Sequence, residues 1–229
     1  MEQLFDLAQT PLRELNQALH DCLPDAAESV WRIVNPKGEH AVACGIDTPA
    51  DVQIQGHVGY YCAGMNKQAH VVIHGNAGTG VAENMMSELV RVKGNASQSA
   101  GATGHGGLLV IEGNAAARCG ISLKGLDIVV RGSVGHMSGF MAQRGSLVIC
   151  GDAGHALGDS IYEAKIFLKG KAQELGADCV EKELAEEHLT FLAALLESAE
   201  VDADASDFRR YGSARCLYHF DIDNADAYA

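Results

Sequence analysis

The feature that most constrains the fold of this chain is a glycine that recurs every 19 residues through its middle. The interval holds over six consecutive steps without a slip. The recurring glycines are Gly56, Gly75, Gly94, Gly113, Gly132, Gly151 and Gly170. A fixed period of about 20 residues is typical of solenoid proteins, in which each repeat stacks on its neighbour.

Apolar residues keep fixed positions relative to these glycines. One stands four residues before each glycine and another two before it, as Val52 and Ile54 do before Gly56. Because side chains alternate between the two faces of a strand, both positions lie on one face. A small apolar residue, such as Val58, follows two positions after each glycine. We expect it to point back inside the coil, where a tight corner leaves little room. The sequence therefore predicts an all-β solenoid, a right-handed parallel β-helix of about seven 19-residue coils. A glycine would stand at each bend, where it tolerates positive φ.

The chain divides into three predicted parts. They are an N-terminal helix with capping strands (1–50), the β-helix itself (51–178), and a C-terminal helix with an extended tail (179–229). An open solenoid end exposes a sheet edge together with its core, so we expect a cap at each end.

The predicted N-terminal cap contains a helix and two strands. Thr10 and Pro11 suit the N-cap and the first helical position. We expect this helix to end near Asp21. Strands are predicted at 31–34 and 41–44, on either side of a turn rich in Asn, Pro and Gly.

The predicted C-terminal part begins with a helix over residues 181–200. Its acidic start suits the positive end of the helix dipole. Residues 201–207 are acidic and predict a loop. Residues 207–229 contain aromatic side chains without a clear period, which suggests an extended arm that docks on a partner.

One column of outward-facing positions is apolar where a solvated face would be polar. Three residues before the glycine, four consecutive coils have Val110, Val129, Val148 and Phe167. An exposed apolar column of this length needs a cover. The cover is either the C-terminal helix of this chain, which we favour, or another protein.

The third segment of each coil is the least regular in sequence. Odd side chains in solenoids tend to lie on the binding face, and methionine suits an adaptable contact surface. The alternative is that these side chains fill the corners of the coil. The candidate partner-interface residues are Tyr60, Tyr61, Met65, Asn66, Asn84, Met85 and Met86, together with Phe167.

Composition restricts the partners and the compartment. The net charge is −13 and no cluster of Lys or Arg occurs, so nucleic acid and membrane are not expected partners. No apolar run of 18 residues and no basic N-terminal region occurs, which predicts a cytoplasmic protein. None of the seven cysteines forms a CxxC pair, and Cys62 and Cys119 fall three coils apart. Free thiols are therefore expected.

Two pairs of residues could indicate chemistry. His136 and His155 hold the same position in adjacent coils, so they could share a metal, although a stacked solvent-facing pair is favoured. Asp152 and Asp159 could suggest a glycan-cleaving enzyme, but such sites need clustered carboxylates in one groove.

Asparagine recurs in the first position after three of the glycines. A turn residue or a ladder of amides would explain Asn76, Asn95 and Asn114. No phosphate-binding loop motif and no nucleophile–base set can be placed. We therefore predict no catalytic, cofactor-binding or metal-binding residue, and a scaffold subunit rather than a catalyst.

Several segments resemble a known family. Gly56–Gly59, Gly75–Gly78 and Gly151–Gly154, with the strands around them, resemble the GXGXG β-helix domain. That domain ends the large subunit of glutamate synthase and forms a subunit of formylmethanofuran dehydrogenase. The resemblance covers about residues 33–178.

Segments 12–17, 59–66, 80–87, 158–165, 210–215 and 224–228 are similar to the free-standing form of this domain. That form is the small β-helix subunit of N-methylglutamate synthase (methylamine–glutamate N-methyltransferase) and its GlxC-type relatives. Residues 161–164 stand where many GXGXG repeats have paired glycines. This departure favours the free-standing form over formylmethanofuran dehydrogenase.

The resemblance implies a non-catalytic scaffold subunit of a glutamate-synthase-like complex that forms N-methylglutamate and ammonia from methylamine and glutamate. It implies two partners, a glutamine-amidotransferase-like subunit and a synthase subunit that carries FMN and iron–sulfur clusters, with no cofactor on this chain. One alternative is the equivalent subunit of another glutamate-synthase-like or formylmethanofuran dehydrogenase complex. The other is an independent β-helix enzyme that acts on glycans.

Overall fold

The computed structural model describes residues 2–22 and 30–215. The strands are β1 (Glu2–Asp6), β2 (Val30–Val34), β3 (Ala50–Gln55), β4 (Ala69–Ile73), β5 (Leu89–Val92), β6 (Leu108–Ile111), β7 (Lys124–Val130), β8 (Arg144–Ile149), β9 (Lys165–Leu168), β10 (Cys179–Lys182) and β11 (Arg209–Ser213). The helices are α1 (Leu12–His20) and α2 (Glu186–Ser198). Neither helix is long and apolar enough to cross a bilayer.

The strands join into a single sheet in which each coil contributes one strand. The order is β1 to β9 in sequence, followed by β11 and then β10. From β1 to β9 every pairing is parallel. From β3 onwards partners lie 19 residues apart, as Val52 and Val71 do, except for Lys124 and Arg144 before a register shift in β7. The inward side chains, including those of Val52 and Ile54, are fully buried. The predicted parallel β-solenoid of about seven coils is confirmed.

A second face of the solenoid is built from single bridging residues. Val58 pairs with Ala77, and the same position continues to pair, coil by coil, as far as Ala172. From Val58 to Ala153 these small side chains are buried inside the coil, at its corner, and Ala172 in the last coil is partly buried. The recurrent residue two positions after each glycine therefore has the role that the sequence predicts.

Glycine is required at the recurring positions for a different reason from the one predicted. Of the seven, Gly56 alone has a positive φ, at 138°. A Cβ atom on Gly113 would lie 2.4 Å from Asn95 Oδ1 and 2.8 Å from the carbonyl oxygen of Gly94. The prediction of positive φ was wrong for the other six. Glycine is required there because the preceding coil approaches too closely for any side chain.

The third face comprises residues five to eleven past each glycine, and it is regular in structure. In the first coil Tyr61, Ala63 and Met65 all have left-handed φ values between 53° and 60°. Their N–H groups point alternately to the two neighbouring coils, as Tyr61 donates to Thr79 O and Ala63 donates to Val42 O. A left-handed residue other than glycine costs about 1–2 kcal/mol, so these inter-coil hydrogen bonds must offset repeated backbone strain.

Helix α1 closes the N-terminal end of the third face. Its N-cap is Pro11 rather than the predicted Thr10, and its C-cap is Asp21, as expected. The side chain of Asn16 donates to Ala41 O over 2.9 Å and accepts from Ala43 N over 3.0 Å. Asn16 therefore supplies the two hydrogen bonds that a preceding coil would make.

The strand predicted at 41–44 is absent, because these residues belong to the third face. Ala41 and Ala43 have φ values of 53° and 55°, which no β-strand accommodates. The strand predicted at 31–34 is confirmed as β2. Strand β1, which pairs with β2 at the edge of the sheet, was not predicted.

The C-terminal part also differs from the prediction. Helix α2 begins five residues later than expected, because residues 179–182 form β10. Residues 209–213 form β11, which inserts antiparallel between β9 and β10. This part of the predicted arm thus lies on the chain's own sheet, and residues 216–229 are outside the described ranges. Within the predicted loop, Ala205–Asp207 forms a single 3₁₀ turn.

The apolar outward column lies beneath the C-terminal part of the same chain. Its four residues form a second hydrophobic core with Leu192, Leu196 and Phe208. Val110, Val129, Val148 and Phe167 are all fully buried in it. The predicted cover is confirmed, and it is supplied by α2 and the segment that follows α2 rather than by another protein.

Candidate partner interface

The asparagine column forms a ladder along one edge of the solenoid. Each side-chain oxygen accepts a hydrogen bond from the backbone N–H of the equivalent residue one coil further on. The accepting residues are Asn76, Asn95, Asn114, Ser133 and Asp152, at donor–acceptor distances of 2.8 or 2.9 Å. The ladder is amide-to-backbone rather than amide-to-amide, and its role is to hold the coils in register.

Four of the predicted interface residues are exposed and close together in the chain. Tyr60, Tyr61, Met65 and Met86 expose 51%, 49%, 52% and 41% of their surface. We call this group the N-terminal patch. Asn84 is half-buried beside it, where its side-chain oxygen accepts a hydrogen bond from the Thr103 hydroxyl.

The other three predicted interface residues are buried within this chain. The Asn66 amide donates to Ala69 O over 2.7 Å and so closes a corner of the coil. Met85 fills the core. Phe167 lies under α2, with its ring centroid 6.2 Å from that of Phe191. These residues fill the fold, as the alternative interpretation proposed, and offer no surface to a partner.

The aromatic rings of the patch are held in a defined arrangement. The Tyr60 ring stacks on His40 at 4.5 Å between centroids, and Tyr61 meets Tyr60 edge to face at 6.4 Å. His40 Nδ1 also accepts the hydrogen bond of Tyr60 N over 2.8 Å. Sequence reasoning missed His40, because the coil before Gly56 has Lys37 at the repeat position and gives no periodic signal.

Comparison with known proteins places this chain in a family. No family model matches the chain. Protein GlxC from Rhizobium meliloti (strain 1021) is 62% identical to it over 226 residues. The aligned region is 98% of this chain and 99% of that protein. The chain belongs to the GlxC family. Because the alignment extends over almost the entire length, the family likeness includes both caps as well as the coils.

Five described cysteines of this GlxC-family chain share a low reactivity. Cys44, Cys62, Cys119, Cys150 and Cys179 are free thiols. Burial raises the pKa of all five, to about 12 for Cys119 and about 11 for Cys179. They therefore keep their protons at neutral pH and are poor nucleophiles.

The predicted histidine pair lies at the surface of the GlxC-family solenoid. His136 and His155 line an open depression of about 380 Å³ together with Asp152 and Gln173. His155 Nδ1 is 3.3 Å from Glu174 Oε2, so its partner is a carboxylate of the next coil. Within residues 2–22 and 30–215, no group of three or more His, Cys, Asp or Glu side chains has the geometry to hold a metal ion.

A second depression, of about 310 Å³, lies between β7, β8 and α2. Its lining brings the half-buried Asp127 together with Arg144 and Lys165. Burial raises the pKa of the Asp127 carboxyl, against a hydrogen bond from Ser146. Lys165 Nζ lies 5.4 Å from the centroid of the Phe191 ring and so packs on α2. These contacts attach the helix to the coils.

Proposed function

We propose that this GlxC-family chain is a non-catalytic scaffold subunit of a glutamate-synthase-like complex. The complex we favour is N-methylglutamate synthase, which converts methylamine and glutamate into N-methylglutamate and ammonia. Two findings support the proposal: the identity to GlxC over almost the whole chain, and the resemblance of the coil motifs to the GXGXG domain.

The observation that carries the scaffold role is the N-terminal patch on a rigid support. Tyrosine and methionine side chains are exposed on coils whose backbones are hydrogen-bonded to both neighbours. Exposed apolar surface of this kind marks protein–protein contacts, and tyrosine is enriched in binding hot spots. A stack of coils joined by the backbone hydrogen bonds presents such a surface without deforming.

The scaffold would serve catalysis by fixing a distance. A glutamine-amidotransferase-like subunit and an FMN and iron–sulfur subunit would bind the same solenoid. An amine released at one active site would then reach the other at high local concentration, which is a proximity effect.

The cofactors are assigned to the partner and not to this chain. Iron–sulfur clusters need several thiolates close together. The two cysteines at the same position inside the solenoid, Cys62 and Cys119, belong to coils three repeats apart and are both fully buried. This arrangement does not fit a cluster. The free thiols also support our placement of the protein in the cytoplasm.

Reconstitution tests the proposed function. The flavin and amidotransferase-like subunits are expressed with and without this chain, and methylamine-dependent formation of N-methylglutamate is measured together with complex size. We expect assembly and activity to require the chain, and the isolated chain to have no turnover. Full activity and intact assembly in its absence would overturn the scaffold role, and turnover by the chain alone would show that it has a catalytic site.

A further inference from the structure

The repeat provides an internal control for every surface residue, because residues 19 apart occupy the same place in successive coils. At the position of Tyr60, the next two coils have Thr79 and Gln98. The local backbone is the same, since Tyr61 donates to Thr79 O just as Gly80 donates to Gln98 O. The solenoid therefore does not need a tyrosine at this place.

The same comparison singles out Met65. The three coils that follow have Asn84, Thr103 and Ser122 at its position, and all four residues have left-handed φ values between 53° and 57°. Short polar side chains suit an exposed left-handed position, whereas a long apolar one gains nothing there from the fold. Met65 is half exposed, so residues 2–22 and 30–215 leave it uncovered.

Met86 is the third apolar residue at a position that is polar in the neighbouring coils. The coil before it has Lys67 at the equivalent position, and the coil after it has His105. Three outward columns that are polar in neighbouring coils are thus each interrupted by an apolar residue within the first two coils. Their common location at one end of the solenoid indicates a shared function that lies outside the fold.

The charges around the patch favour one class of partner. Glu83 Oε2 and the Tyr61 ring both border Gly80, where an added Cβ would lie 2.8 Å from the carboxylate and 2.7 Å from the ring. Glu39 precedes His40, which stacks on Tyr60. Neither Glu39 nor Glu83 takes part in an ion pair among the residues that the structure describes.

Lys67, a cation of the same coil as Tyr60 and Met65, is already engaged. Lys67 Nζ lies 2.6 Å from Asp47 Oδ2. Aromatic faces beside unpaired carboxylates are the surroundings that a guanidinium prefers, since it can stack on the ring and bond to the acid. A second copy of this chain is a poor occupant, because each copy has a net charge of −13 and would bring the same two acids to the contact.

We infer that the N-terminal patch docks an arginine-bearing surface of a partner subunit, with Met65 and Met86 covered by apolar side chains of that partner. The inference rests on the proposed scaffold role and specifies the chemistry of its interface. Tyr60 and Tyr61 would stack with guanidinium groups, and Glu39 and Glu83 would pair with them.

The test replaces each of the three residues by the one that another coil has at the equivalent position, in the full chain. The variant Tyr60→Thr/Met65→Ser/Met86→His carries the residues of Thr79, Ser122 and His105, so it should retain the fold. We expect its dissociation constant for the co-expressed flavin and amidotransferase-like subunits to rise at least tenfold. The matched control is Met141→Ser, because Met141 occupies the Met65 position four coils away and is also exposed.

A second variant tests the charge requirement. Glu39→Gln/Glu83→Gln should weaken the same complex and reduce its sensitivity to salt, because two charge pairs are lost. Glu174→Gln, which changes a remote surface acid beside His155, should leave affinity and salt dependence unchanged. Circular dichroism and thermal melting of each variant show whether the fold is intact.

The outcomes separate the interface from the scaffold role. A complex that forms with unchanged affinity in both multiple variants would overturn the interface and leave the scaffold role standing. A wild-type chain that binds neither subunit would overturn both. A dimer of the chain alone that the triple variant abolishes, seen by sedimentation, would show that a second copy is the occupant and overturn the arginine-bearing partner.

Discussion

The guanidinium of Arg91 donates a hydrogen bond of 3.1 Å to the carbonyl oxygen of Ala199, the C-cap residue of α2. Arg91 Nη2 lies 3.2 Å from Glu200 Oε1. Arg91 Nη1, the nitrogen that binds Ala199, lies 3.4 Å from Glu112 Oε1. The Arg91 side chain is 5% exposed, and it occupies the same outward column as Val110. A buried cation of the sheet thus binds the negative end of the helix dipole and attaches α2 to the coils.

Replacing Arg91 should detach that end of the helix. Arg91→Ala leaves the Ala199 carbonyl without its donor and removes one of the cations beside the partly buried Glu112, which keeps Lys93. We therefore expect the free energy of unfolding to fall by about 2–3 kcal/mol. Lys93→Ala is the control, because Lys93 pairs with the same Glu112 but is 40% exposed, and we expect it to cost under about 1 kcal/mol. Denaturant unfolding measures both, and equal losses would contradict the anchoring role.

The contact between α2 and the apolar column should prevent self-association of the chain. Leu192→Asp places an unpaired charge against the column and should release the helix. We expect increased binding of the dye ANS and concentration-dependent association, since the column is then exposed. Ala193→Asp, on the exposed side of the same turn, should have neither effect. A monomeric Leu192→Asp chain that does not bind ANS would show that the column has another cover.

Close approach between coils predicts which glycines tolerate a methyl group. Gly113→Ala would place a Cβ atom 2.4 Å from Asn95 Oδ1, so we expect a loss of about 1–3 kcal/mol from overpacking. Gly212→Ala is the matched control in β11, where the nearest atom would be Lys182 Cγ at 3.7 Å. Its change should stay within about 0.5 kcal/mol. Thermal melts of the two variants give the comparison, and equal midpoints would be inconsistent with the proposed crowding.

The buried thiols should make stability fall at alkaline pH. Burial raises the pKa of Cys119 from 9.0 to about 12, so the folded chain keeps a proton that the unfolded chain loses above about pH 9. The stabilisation is complete below pH 9 and is lost as the pH rises towards 12, with a limiting slope of about 1.4 kcal/mol per pH unit for this thiol. Chemical denaturation between pH 8 and 11 measures the slope.

Cys119→Ala isolates the contribution of that thiol. Lysine and tyrosine side chains titrate in both proteins and cancel in the comparison. In the variant the free energy of unfolding should fall less steeply with pH, by up to about 1.4 kcal/mol per pH unit, which corresponds to one proton. This difference does not depend on the stability of the variant at pH 7. The same slope in both proteins would mean that Cys119 ionises equally in the folded and unfolded states.

Much of the fold was predictable because the repeat encodes it directly. The inward positions represented by Val52 and Ile54 were identified from spacing alone, and so was the need to cover the column that ends at Phe167. The strand expected at 41–44 was wrong, because an Ala-Val-Ala-Cys run has strand-like alternation while its backbone is left-handed. Strand β11 carries no periodic signal, because it lies outside the repeat and pairs antiparallel with β9, the last strand of the repeat.

The exposure of the candidate interface residues was predicted only in part. Tyr60 and Met65 follow the expected pattern of exposure, but Met85 and Met86 are adjacent in sequence and lie on opposite sides of the backbone. In the third face every second residue has a positive φ, so neither strand nor helix periodicity reports which side chains point inward. Only the folded coil distinguishes a corner filler from a surface residue at these positions.

The sequence by itself determined the number of coils, their register and the inward columns, because each coil repeats one 19-residue pattern and a one-residue slip would turn the apolar side chains outward. Tertiary structure decided the contacts between parts that share no period. It placed Asn16 against Ala41 and Ala43, and Arg91 against Ala199, across long stretches of sequence. Such contacts depend on where the chain returns after leaving the repeat, and that path is fixed by hydrogen-bond and packing requirements at the ends of the solenoid.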